Sequence, residues 1–78
     1  MIGQREKIYA ILRLEDHYHN TAQVVQSCHG SGDEKVKNIS ARPANRCLNA
    51  LLSMGKVVVK HMGVDDQGRP LPYWKAVK

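Results

Sequence analysis

Between Ser40 and Gly55 apolar residues recur at intervals of three and four, and directly after Gly55 the chain changes to the β-branched run Val57-Val58-Val59. Ala44, Cys47, Leu48, Leu51 and Leu52 fall on one side of a 3.6-residue period, so this stretch reads as a helix with a buried stripe. Ser40 stands at its N-cap and Pro43 in its first turn, where a missing N–H costs little. Gly55 ends it. A helix that buries one face and hands over at once to a strand commits the chain to helices packed with a small sheet.

The remaining elements follow from the same patterns. Residues 4–16 predict a first helix, with Ile8, Ile11 and Leu12 on one stripe and Gln4, Arg5, Lys7 and Glu15 mostly outside it. Thr21 is the expected N-cap of a short second helix over residues 22–28, in which Val24, Val25 and Cys28 face the core; Gly30-Ser31-Gly32 stops it. Residues 31–38 are polar and charged and predict a surface connection. Past the third helix, residues 56–62 read as a strand and residues 74–77 as its return. Gly63 to Pro72, with turn formers Asp65, Asp66, Gly68 and Pro70, joins them. Three helices followed by a β-hairpin wing make an α+β winged helix-turn-helix, with a short bridge near Asn20 adding a third strand. At 78 residues there is material for one domain, residues 1–78.

Twelve Lys and Arg against seven Asp and Glu give a net charge of +5, which draws polyanions at long range. No apolar run is long enough to span a bilayer, and the first residues lack the order of a signal peptide. A soluble, intracellular protein is expected, cytoplasmic or nuclear, with no membrane partner. Cys28 and Cys47 are too few for a disulfide scaffold and read as reduced thiols. His17, His19, Cys28 and His29 lack the paired spacing of a zinc set, so neither a metal nor a cofactor is expected. Asp65 and Asp66 sit in a turn, and no nucleophile, base and acid fall in a catalytic context. An enzyme is not expected.

The outer stripe of the third helix is the candidate binding face. Arg42, Asn45, Arg46, Asn49 and Ser53 recur at three, four and seven residues, so one partner can meet them together. A helix carrying basic and amide side chains beside a wing suits phosphates. Two other uses of such a fold are open: a transcription regulator that puts the third helix into the major groove of right-handed DNA, and a protein-docking module using Met62, Tyr73 and Trp74.

The order of these residues resembles a family, the Zα domains, winged helices that bind left-handed Z-DNA and Z-RNA. The resemblance is clearest over residues 39–78. It rests on Asn45-Arg46 on the outer face, an apolar pair of turns, the Gly55-Lys56 stop, and a wing ending in Pro72-Tyr73-Trp74-Lys75. It implies that Asn45 bonds the zigzag phosphate backbone, that Trp74 contacts a phosphate through water and packs on the helix, and that Pro70 and Pro72 touch the backbone. This chain departs from the family in the length of its connection from the second helix to the third, which is longer than typical, and at three residues. Leu71 stands where the first of two adjacent prolines is usual. Ala41 replaces a basic residue one turn before the Asn, a charge that Arg42 can supply. Asn49 replaces an aromatic one turn after it. Divergent members, many of them viral, tolerate such changes. The implied ligand is left-handed double-stranded DNA or RNA of CpG-like alternating sequence, bound by a monomer with room for two copies on one duplex, in innate immune sensing or its viral antagonism.

Overall fold

A computed structural model describes residues 3–77. Met1, Ile2 and Lys78, the last of which closes the stretch carrying the family resemblance, lie outside the described residues. Three helices and a three-stranded antiparallel sheet form a winged helix in the order α1 (Gln4–Leu14), β1 (His19–Asn20), α2 (Thr21–Gly30), α3 (Ala41–Ser53), β2 (Val57–Val64) and β3 (Pro70–Ala76). The α+β fold and the β-bridge near Asn20 are as the sequence predicts.

Several boundaries differ, each for a local reason. The first helix stops two residues early because Glu15 is extended, at φ −110° and ψ 104°. The cap of α2 is Asn20, and Thr21 is its first helical residue. Asn20 accepts from the Gln23 N–H at 2.8 Å, and Gln23 accepts from the Asn20 N–H at 3.0 Å. This reciprocal box satisfies two orphan donors at once. It also frees the Thr21 hydroxyl for another use.

The connection from α2 to α3 is polar in composition but not confined to the surface. Val36 is fully buried and Ile39 nearly so. Asp33 organises the segment: its carboxylate accepts from the Lys35 N–H at 2.9 Å and pairs with Lys7 of α1 at 3.0 Å. These contacts fold the loop back so that its two apolar side chains enter the core. Ser40 takes the extended N-cap conformation of α3 but makes no side-chain cap bond.

In α3 the buried residues are Ala44, Leu48 and Leu51, with Cys47 half-buried. Leu52, expected in the buried stripe, is 36% exposed, because it lies at the margin of the stripe where helix and wing part. The sheet order is β1-β3-β2. Val57, Trp74 and Ala76 are its buried residues, and they close a core with Ile8, Leu12, Val24 and Leu48.

The hairpin is longer than the sequence suggests, with β3 beginning at Pro70 rather than Trp74. His61 pairs with Pro72 and Val64 with Pro70, so Met62 and Gly63 oppose Leu71 alone. That is a β-bulge, with Gly63 at φ 66°. Prolines are tolerated here because β1 pairs only with Tyr73 and Trp74, leaving the other edge of β3 free at Pro70 and Pro72. The turn shrinks to the residues around Asp65, whose carboxylate accepts from the N–H groups of Gln67 and Arg69, each at 2.9 Å.

Candidate nucleic-acid interface

Every polar residue predicted on the outer stripe of α3 is exposed there: Arg42, Asn45, Arg46, Asn49 and Ser53. The wing brings Pro72 and Trp74 beside Asn45 and Asn49, where they line a cleft of about 190 Å³ with Leu52, Val59 and His61. Pro70 is exposed farther out, where β3 leaves the turn. Helix and wing therefore meet at one surface. Arg42 and Arg46 stand on the same helix but do not line the cleft.

A directed chain of hydrogen bonds fixes the centre of this surface. Trp74 is 3% exposed, and its indole N–H donates to Thr21 Oγ1 at 3.2 Å. Thr21 in turn donates to Asn45 Oδ1 at 3.3 Å. The indole can only donate and the hydroxyl has one proton to give, so the polarity runs one way, from Trp74 through Thr21 to Asn45. Asn45 must present its oxygen inward. Its NH₂ group is left as the donor that faces outward, and a donor is what a phosphate oxygen requires.

Trp74 therefore acts in the free protein as a positioning residue. Its N–H, to which the resemblance gives a water-mediated phosphate contact, is engaged by Thr21. Asn49 also has a local partner: it donates to the Asn45 backbone carbonyl at 3.0 Å, which holds its side chain against the helix. Asn49 itself lines the cleft, at the position where the resemblance calls for an aromatic.

No family model, curated protein or solved structure matches this chain.

Sequence reasoning missed Thr21, His61 and Leu52. Thr21 reads as the helix cap by residue type, whereas the Asn20-x-x-Gln23 spacing is the signal that moves the cap to Asn20 and frees the hydroxyl. His61 falls on the cleft side by the strand period from Val57 and Val59. The same alternation separates Tyr73 from Trp74, one facing away from the helices and the other buried. A single apolar docking patch containing both does not form.

The thiols have no part in this surface chemistry. Burial pushes the Cys28 thiol up to about 11, with the neighbouring Cys47 adding to the shift. Burial raises the Cys47 thiol as well. Both favour the protonated, unreactive form. His29 donates to the Ile39 carbonyl at 2.6 Å, which ties α2 to the start of α3 and keeps it out of any set with His17 and His19. Among the described residues no helix is long and apolar enough to cross a membrane.

Proposed function

We propose that this chain is a Zα-like module that binds left-handed double-stranded DNA or RNA through α3 and the wing and stabilises that form. The observation that carries the reading is the one-way hydrogen-bond chain from Trp74 through Thr21 to Asn45, which turns the Asn45 amide outward as a fixed donor. Asn45 bonds a backbone phosphate. Arg42 and Arg46, on the same exposed stripe, supply the charge-assisted contacts that follow the strand. Pro70 and Pro72 give rigid apolar contact from the wing, and Asn49 contributes a polar contact to a phosphate or to water.

Selectivity arises from spacing. Groups held on a helix and a packed hairpin match one arrangement of phosphates and miss others, so the zigzag backbone is favoured over the right-handed one. Sequence enters indirectly, since alternating CpG-like tracts reach the left-handed form most cheaply. The protein shifts the population only to the extent that it binds one hand better than the other. It acts as a monomer, two of which fit one duplex, and as a binding module rather than an enzyme. An intracellular site, cytoplasmic or nuclear, and a place in innate immune sensing or its viral antagonism accompany this reading.

The test is the affinity of a CpG-repeat duplex, locked in the Z form by brominated guanines, measured by fluorescence anisotropy for the wild type and for Asn45→Ala. The expected result is a loss of about 1–3 kcal/mol on truncation. Unchanged affinity in the folded variant would remove Asn45 from the interface and with it the reading.

A further inference from the structure

A second cluster lies away from α3, where α1 gives way to β1. Glu15 and His17 sit in bends, with the His17 N–H donating to the Glu15 carbonyl at 3.0 Å, and this turn brings their side chains together with that of His19 at the start of β1. The imidazoles of His17 and His19 lie with centroids 4.0 Å apart. His19 Nε2 is 2.5 Å from Glu15 Oε2, and one donor atom from each of the three residues lies within 4.8 Å of the others.

Two of the three donors, those of His17 and Glu15, are set up by a group behind them. His17 Nδ1 meets the Tyr18 carbonyl at 3.2 Å. A carbonyl only accepts, so Nδ1 carries the proton and the lone pair of the neutral ring is on Nε2. Ser27 donates to Glu15 Oε1 at 3.4 Å and leaves Oε2 toward the imidazoles. His19 has a side chain only 4% exposed, yet its Nδ1 is buried with no hydrogen-bond partner. The nitrogen that meets Glu15 is Nε2, so the unpartnered Nδ1 is not the atom that faces the carboxylate. Two imidazoles and a carboxylate converge at this point.

We propose that Glu15, His17 and His19 form a binding site for one borderline divalent cation of the Zn²⁺ or Co²⁺ class. Two imidazoles and a carboxylate are a ligand set that such ions take, with a fourth position left to water. Donors around a tetrahedral ion at about 2.0–2.2 Å stand roughly 3.3–3.6 Å apart. The ion therefore opens the Glu15–His19 pair and draws the exposed His17 ring inward, movements of side-chain ends alone. The Tyr18 carbonyl and Ser27 hydroxyl are its outer-shell partners. Because His19 pairs with Trp74 across the sheet and Asn20 caps α2, the ion braces the junction that carries Thr21.

The test is a Zn²⁺ titration of the reduced chain by calorimetry, with thermal unfolding at each metal concentration and a Co²⁺ absorption spectrum. The expected result is one ion per chain, a rise in Tm with Zn²⁺, and a Co²⁺ adduct without a sulfur charge-transfer band. His17→Ala, a change at an exposed residue, should weaken Zn²⁺ at least about tenfold while the metal-free protein melts as the wild type does. Glu15→Gln, which keeps a hydrogen bond to His19, should weaken it likewise. No saturable binding by the folded wild type, undiminished binding by His17→Ala, or a Co²⁺ spectrum carrying a sulfur band would each overturn the site.

Discussion

Thr21 links the buried wing tryptophan to the exposed asparagine through its hydroxyl. Replacing it with Val keeps the shape and removes both hydrogen bonds. Trp74 would then hold a poorly satisfied N–H, at a cost of about 1–3 kcal/mol in urea denaturation. Asn45 would lose its fixed orientation, so Z-form affinity should fall roughly tenfold in the same variant. Asn45→Ala should behave differently, changing stability by less than about 0.5 kcal/mol while weakening binding, because its side chain is exposed. Equal effects of the two variants on stability would contradict the direction assigned to the chain. Cys28 gives a pH prediction from the same core. Its thiol rises from 9.0 to about 11 on folding, so the folded state holds this proton more tightly than the unfolded state. Its contribution is full below about pH 9 and declines as pH climbs toward 11. The urea midpoint should drop over that window, and drop less in Cys28→Ala.

The connection between α2 and α3 and the tip of the wing are held by single residues. Val36→Ala should cost about 2 kcal/mol on unfolding, as a fully buried branched side chain leaves a cavity under a loop. A cost near zero would mean that the loop does not belong to the core. Asp65→Ala removes the acceptor for two backbone N–H groups and should lower stability by about 1 kcal/mol. It should also weaken nucleic-acid binding, since Pro70 follows directly from that turn. Helix α3 was legible from residue spacing because its apolar stripe and its stop at Gly55 agree. The hairpin was legible in kind but not in length, because Pro70 reads as a turn former and Pro72 as the end of the connection when the open edge of β3 is unknown. Val36 was hidden among charged neighbours, with no period to expose it. Of the candidate surface, the exposed stripe of α3 and the approach of Pro72 could be read in advance. The Thr21 link could not, because its partners are 24 and 53 residues away along the chain.

The molecule as a whole combines a net charge of +5 with one face built from α3 and the wing. On the proposed reading, long-range attraction brings polyanions near and the fixed groups on that face supply selectivity. Affinity for Z-form duplex should therefore fall with salt, with a log–log slope on the order of −2 to −3 if a few cations contact phosphates. Arg42→Ala and Arg46→Ala should each reduce the slope by about one unit. A flat salt profile would point instead to a protein partner. The most direct measurement is circular dichroism of an unmodified CpG-repeat duplex titrated with the protein at moderate salt, beside a duplex of scrambled sequence. The account predicts inversion of the long-wavelength bands for the CpG duplex alone; binding to both duplexes with the right-handed spectrum unchanged would contradict it.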